Sequence, residues 1–597
     1  MLTLSHFLGH PGAELAAPIQ LSGTTVRAQA RWMARAGIVG LAVATVVALR
    51  LAAVLPDVPN RHALTGEAAR RAMLDVDAAE ALLGGDLLEL VGHLVGSDRG
   101  TLLLLVAAPA HAVAGPAHAL GVELGISLVF TALLFLVLGL AARCVGASTG
   151  EALVVLAIST PLLMGSRDLL GHAVSGMPEV PSAVFTLATA AAWLASRASR
   201  TYRPWAVALL GNALFHVTFQ DGLMFALAVL LVEAGEAGWV RPPRALLSAL
   251  FRGARSPVGL SMLVSALTVL LGGCWVVSTG GLNATVFGRE VSLRHVREPV
   301  WLGALLLFLF VEFAFWHERV WLAAEVPRRA RFLWKWLLTP MVVWILVPFS
   351  GRLQTFGGSL AWAGSGSASD WLLSLPRAAW EGWVPAETRW IVLALLCGSI
   401  LAAFRSATTR LVLGSLGGIV LLEIAFLTLL QRGNPQPRLI VHLAPLVALS
   451  AAAWVPAVPH VVRTPLGAAA AALLLWMVLP TWRGPELVAT LSRGFESTAN
   501  GDACREVARA LPITRGVLVN ETAPARFETC ELWVKFLARE RGAQVLTREP
   551  WTRASRREVL VLEDGTTPVG PRDGLVALGA SAQHGLVRGQ RYRAEAP

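Results

Sequence analysis

Thirteen apolar runs, separated by short polar breaks, decide what this chain can become. They lie near 36–55, 118–142, 149–165, 180–196, 204–218, 220–236, 257–278, 299–316, 333–349, 390–404, 411–430, 439–457 and 464–482. A helix needs about 20 apolar residues to cross roughly 30 Å of hydrocarbon, and most of these runs approach that length. Composition agrees: 55% of residues are hydrophobic and 15% charged, where a soluble domain averages about 25% charged. The mean hydropathy is +0.60. The sequence therefore predicts a polytopic α-helical membrane protein with about 13 transmembrane helices. The pair of runs around Gln220 could also be one broken helix.

Orientation follows from Arg and Lys. Arg27, Arg31 and Arg35 precede the first run, which is long enough to stay as an anchor. With residues 1–35 cytoplasmic, the inner loops hold Arg197/Arg200/Arg203, Arg241/Arg244/Arg252/Arg255, Arg319/Arg328/Arg329/Arg331/Lys335 and Arg405/Arg410, as the positive-inside rule expects. Arg289, Arg294 and Arg297 in the outer loop 279–298 run against this bias. The net charge of +11 is thus read as loop arginine and not as a nucleic-acid footprint. The same rule keeps the run 101–115 interfacial or re-entrant, because a further crossing would put the first three basic loops outside.

Three regions result: the cytoplasmic segment 1–35, a transmembrane domain 36–482 with a long outer loop 56–117, and an extracytoplasmic tail 483–597. In the tail, Cys504–Leu511 and Phe527–Arg541 read as helices, and segments at 516–520, 543–547, 559–562 and 574–578 as strands. That alternation predicts a small C-terminal α/β domain. It has no glycine-rich phosphate loop and reads as a binding or packing module. Cys504 and Cys530 are either bonded or a free pair.

Acids are scarce in this chain, yet Asp75, Asp77, Glu80 and Asp86 crowd the first outer loop. The predicted topology places other polar groups on the same side. Asp168, His172 and Glu179 occupy the second outer loop. His216, Gln220 and Asp221 sit at the next outer turn. Arg432, Arg438 and His442 flank the loop Gly433–Pro437. Ionisable groups at a membrane boundary must be wet, paired or functional. The chemistry such a face could support is glycosyl transfer from a polyprenyl-phosphate sugar. A carboxylate takes the proton of the attacking acceptor, and arginines or a divalent cation such as Mg or Mn stabilise the leaving phosphate. On this reading Asp77, with Asp75 beside it, is the base. Glu179, Asp168 and His172 position acceptor or metal, and Arg432, Arg438, His442 and His216 hold the donor phosphate.

The order of motifs over roughly residues 30–460 resembles the GT-C class of multi-span glycosyltransferases, nearest in plan the protein O-mannosyltransferases and the lipid A aminoarabinose transferase. Asp75-Val-Asp77-Ala-Ala-Glu80 is similar to the acidic motif heading their loop helix. The run Leu104–Gly115 resembles their interfacial segment, Glu179-Val-Pro181 the start of their fourth span, and Arg438–Pro445 their late Arg-led helix. The resemblance implies a lipid-linked sugar donor, a glycan, lipid or protein acceptor, and a site on the extracytoplasmic face. A bacterial inner membrane is the expected location, since the Ala-, Gly-, Arg- and Leu-rich composition goes with GC-rich genomes. Two departures stand out: Asp-Val-Asp replaces the frequent Asp-Glu pair, and Thr218-Phe219-Gln220-Asp221 lacks the usual Lys. A lipid-linked sugar transporter is the alternative, with Glu312 and Glu423 as its intramembrane acids. A non-catalytic assembly subunit is a third reading.

Overall fold

The computed structural model describes residues 25–58, 66–96, 101–115, 118–146, 148–198, 204–236, 238, 240–278, 282–286, 289–293, 297–346, 368–430, 437–495 and, in the tail, 506–507, 509–510, 516–520, 545–547, 558–564, 575–578, 581–584 and 587–594. All thirteen apolar runs are mostly helical over their described residues, with breaks at Thr218 and at Ala452–Trp454. Among the described residues, seven helices are long and apolar enough to cross a bilayer, or eight if one bent pair is counted as a span. The chain is therefore a polytopic helical membrane protein. The remaining runs form helices that are shorter or more polar.

In chain order, α1 (Thr25–Val54) leads to the loop helices α2 (Gly66–Gly84), α3 (Leu87–Gly96) and α4 (Thr101–Ala114). Next come α5 (Ala119–Val145), α6 (Thr149–Gly165), the short α7 (Arg167–Gly171), α8 (Glu179–Ala198), α9 (Pro204–Val217) and α10 (Phe219–Glu236). The region around Gln220 is two helices, broken at Thr218. A Cβ added at Gly222 would stand 2.2 Å from the Phe215 Cα, so only glycine lets the α9–α10 turn close this tightly. Beyond it lie α11 (Arg241–Arg255), α12 (Pro257–Ser278) and α13 (Arg297–His317). A two-stranded antiparallel hairpin, β1 (Leu282–Val286) with β2 (Arg289–Leu293), lies between the last two.

The chain continues through α14 (Arg319–Glu325) and α15 (Arg328–Leu333), a π-helical turn over Trp334–Leu338, and α16 (Thr339–Ile345). Then come α17 (Ala368–Trp383), α18 (Arg389–Ala403), α19 (Ala407–Leu430), a 3-10 segment Pro437–Leu443 running into α20 (Ala444–Ala451), α21 (His460–Val478) and α22 (Gly484–Leu491). One large apolar core joins many of these helices, with Leu51, Leu138, Trp193, Phe215, Phe225 and Leu446 inside it, and α11 and α14 contribute to a separate small one.

The four tail strands expected from sequence are present in near-identical positions, and two more follow them. β3 (Gly516–Asn520) pairs in parallel with β4 (Val545–Thr547) and β5 (Glu558–Asp564). β8 (Val587–Ala594) runs antiparallel to β5, and to β6 (Leu575–Ala577) and β7 (Ala582–His584) on its other edge. The expected helix 527–541 and the Cys504–Cys530 question lie outside the described residues.

Candidate functional site

Helix α2 turns one face inward through Ala68, Arg71, Ala72, Asp75 and Ala79, spaced three or four apart. Ala78 and Ala79 pack with Leu104 and Ala108 of α4 in a small core, and the inward stripe carries Arg71 and Asp75 out of water. The helix stops at Gly85, whose φ of 71° favours glycine. Asp86 then caps α3 by accepting the Glu89 N–H at 2.9 Å, an ordinary structural use of one of the crowded acids.

Across from Arg71 and Asp75 stand His111, from the last turn of α4, and Glu123, from the second turn of α5. His111 Nε2 donates to Glu123 Oε1 at 2.8 Å. Arg71 lies between two carboxylates, with Nη2 3.5 Å from Glu123 and Nε 3.8 Å from Asp75. Asp75, His111 and Glu123 each offer one ligand atom within 4.8 Å of the others, and all three are buried. Neither oxygen of Asp75 makes a hydrogen bond among the described residues, although the group is 0% exposed. Burial pushes the Asp75 carboxyl well above the usual carboxylate range. The neighbouring Glu123 adds to the rise and Arg71 opposes it. Gly176, in the loop between α7 and α8 at φ 72°, lies over Glu123 and Ala68 and donates its N–H to Ser127 Oγ at 3.1 Å.

Asp77 is two residues from Asp75, so it projects about 200° away around the helix. It is half-buried and stands apart from the cluster. Glu179 is buried at the start of α8. One turn on, Ser182 Oγ lies 2.8 Å from Thr218 Oγ1 at the α9–α10 break. His216 is bound to Thr101 at 2.8 Å, linking α9 to the start of α4. Asp168 rests against Gly382 of α17. Burial raises its carboxyl, against the pull of His172 and Arg493. His442 is enclosed between two carboxylates, with Nε2 2.9 Å from Glu423 and Nδ1 3.6 Å from Asp221. Arg432 and the side chain of Arg438 lie outside the described residues, but the Pro437–Leu443 segment packs against α7, α8 and α17. The loops that sequence assigned to the outer face thus meet one another.

No family model matches the chain, and no curated protein matches it. Among solved structures it is similar to ArnT from Cupriavidus metallidurans bound to undecaprenyl phosphate, at 11% identity over 92% of this chain and 97% of that one, with a TM-score of 0.46. It is also similar to the oligosaccharyltransferase of Archaeoglobus fulgidus in the apo form, at 12% identity over 88% and 69% of the two chains, with a TM-score of 0.40. Archaeal oligosaccharyltransferase AglB from the same organism, in complex with an inhibitory peptide and a dolichol-phosphate, matches at 13% identity over 74% and 56%, with a TM-score of 0.35. None of these likenesses assigns a role to a residue of this chain.

Sequence reading missed three members of the cluster. Arg71 stands one helical turn before Asp75, the spacing of an intrahelical ion pair. Glu123 is the lone acid near the head of an apolar span, a position that marks function or pairing. His111 is the one ionisable group of an otherwise apolar loop helix. Each signal was present, but only the fold brings the three together.

Proposed function

We propose that this protein is a membrane glycosyltransferase that moves a sugar from a polyprenyl-phosphate donor to an acceptor on the extracytoplasmic face, with inversion at the anomeric carbon. The observation that carries the reading is the buried Arg71–Asp75–Glu123–His111 cluster beneath an interfacial helix. A carboxyl with raised proton affinity suits a general base working near neutral pH. Asp75 accordingly takes the acceptor's O–H or N–H proton as the new bond forms to the anomeric carbon. The bond from that carbon to the phosphate oxygen breaks, and the phosphate keeps the electron pair. Arg71 offsets the field around Asp75, while Arg438 and Arg432 are the proposed contacts of the leaving phosphate. Glu179, with Asp168 and His172, positions the acceptor. Asp77 is the competing base, and the two assignments are separable because the side chains leave the helix in different directions.

The cluster also fits a divalent cation. Asp75, His111 and Glu123 supply a nitrogen and oxygens at mutual distances below 4.8 Å, and the Asp75 oxygens are without hydrogen bonds among the described residues. An imidazole in the set suits Mn better than Mg. A cation held there would stabilise negative charge beside the reacting groups.

The test is reconstitution in proteoliposomes with radiolabelled polyprenyl-phosphate hexose or pentose and a membrane extract as acceptor source. Label should leave the lipid fraction. Asp75→Asn should slow that transfer by about 10²–10⁴-fold, and Asp77→Asn by much less. The reverse order would move the base to Asp77. Native rates in both variants would end the proposal.

One observation favours the transporter reading: Glu312 and Glu423 lie within candidate membrane spans, and Asp221 and Glu233 within helix α10. Each has a protein partner. Glu423 and Asp221 face His442, Glu233 accepts from Trp193 Nε1 at 2.8 Å, and Glu312 accepts from Trp334 and Thr339. Movement of intact labelled lipid between leaflets, without bond formation, would decide for it.

A further inference from the structure

Helix α11 has two faces with different owners. Pro242, Ala245, Ala249 and Gly253 are buried. They pack closely on α13–α15: a Cβ at Gly253 would meet Ala314 at 2.5 Å, and Ala245 and Ala249 join Leu322, Val326 and Ala330 in a small core. Two of the helix's four arginines are taken up on this side. Arg241 pairs with Glu325 at 3.0 Å. Arg252 pairs with Glu318 at 3.5 Å and lies over the Trp321 ring.

The opposite face is exposed. It carries Arg244, Leu247, Phe251 and Arg255, with Phe251 71% exposed. Eleven residues is close to three full turns, so Arg244 and Arg255 project within about 20° of each other and about 16 Å apart along the axis. Leu247 and Phe251 stand between them. Neither arginine has an ion-pair or hydrogen-bond partner among the described residues.

The turn into α12 sets the helix's attitude. The two helices meet at an angle of 99°. Ser256 fixes the corner by accepting the Gly259 N–H at 3.1 Å, and a Cβ at Gly259 would strike the Gly253 carbonyl at 2.1 Å. A helix held at a right angle to an apolar 22-residue neighbour lies along the bilayer surface when that neighbour crosses it.

We propose that the exposed face of α11 is a docking surface for anionic phospholipid, in the leaflet that the positive-inside rule assigns to the cytoplasm. Arg244 and Arg255 each reach a headgroup phosphate, and Leu247 and Phe251 enter the acyl layer between them. A charged pair bracketing an apolar pair matches a lipid surface, which offers both chemistries at that spacing.

Native mass spectrometry of the full chain in non-ionic detergent tests this, with phosphatidylglycerol and phosphatidylcholine titrated separately. The wild type should hold phosphatidylglycerol more tightly. The double variant R244Q/R255Q should lose that preference, with binding weakened on the order of tenfold, as removal of two surface guanidiniums implies. Its melting should be unchanged, because the packed face of α11 is untouched. R377Q, which removes an exposed arginine from α17, should bind as wild type. A double variant that holds phosphatidylglycerol as the wild type does, or a wild type that does not distinguish the two lipids, overturns the proposal. So does displacement of the lipid by millimolar inorganic phosphate, which would make the site a phosphate site with no acyl contribution.

Discussion

Asp75 has opposite consequences for stability and for chemistry. Its carboxyl sits in a space that favours the neutral form, so its folded pKa is raised above the unfolded one. Such a group contributes stability that is fully present below the unfolded pKa and is lost as pH rises through the folded value. Asn at this position is neutral at every pH. Asp75→Asn should therefore melt higher than the wild type above that raised value, and the gap should close as pH falls toward about 4. Thermal melts across a pH series check this, and a gap that does not change with pH would show that Asp75 is not held in an unfavourable charged state. The same substitution should slow transfer by about 10²–10⁴-fold, the pattern of a residue kept for function at a cost in stability. The sequence made Asp75 visible by its rarity, but not its partners. Arg71 carries no motif of its own, and Glu123 falls inside the apolar run 118–142. Which of Asp75 and Asp77 turns inward depends on where the apolar stripe of α2 falls, and an alanine-rich helix gives little hydropathic contrast to show it.

At the scale of elements, the 3-10 segment Pro437–Leu443 is tied inward by His442. The imidazole joins α10, through Asp221, to α19, through Glu423, and all three side chains are buried. His442→Ala leaves two carboxylates facing a cavity without their shared partner. Leaving buried polar atoms unpartnered in this way costs roughly 1–3 kcal/mol. The triple change H442A/E423Q/D221N removes the stranded carboxyls and should recover part of the loss. A His442→Ala variant that unfolds in denaturant with the wild type would show that the cluster contributes no net stability.

Helix positions were legible because apolar runs announce themselves. The number of crossings was less so. Helix α8 spans Glu179–Ala198 but buries Ser182, Thr186, Thr189 and Ser196 among its neighbours. A helix surrounded by protein tolerates hydroxyls that a lipid-facing one resists, so its hydropathy falls below that of a simple span. The β1–β2 hairpin was not foreseen, since its five-residue strands carry too short a pattern to separate from loop.

For the whole molecule, the arrangement makes sense only with the two ends of the helix bundle in different compartments. Helices α2 and α4 hold the carboxylate cluster, the 437–443 segment packs on α7, α8 and α17, and the basic helix α11 packs with α13 and α14. Arg377 is exposed on α17 and Arg244 on α11. In a cysteine-free background, Cys at position 377 should react with a membrane-impermeant maleimide in intact cells. Cys at 244 should react only after permeabilisation. Equal reaction at both positions, or the reverse order, would place the carboxylate cluster on the cytoplasmic side. A polyprenyl-phosphate donor presented from outside could not then reach Asp75, and the proposed transfer would lose its geometry whatever the chemistry of the cluster. The two labels thus test orientation apart from catalysis: an inactive Asp75→Asn variant must still give the wild-type labelling pattern.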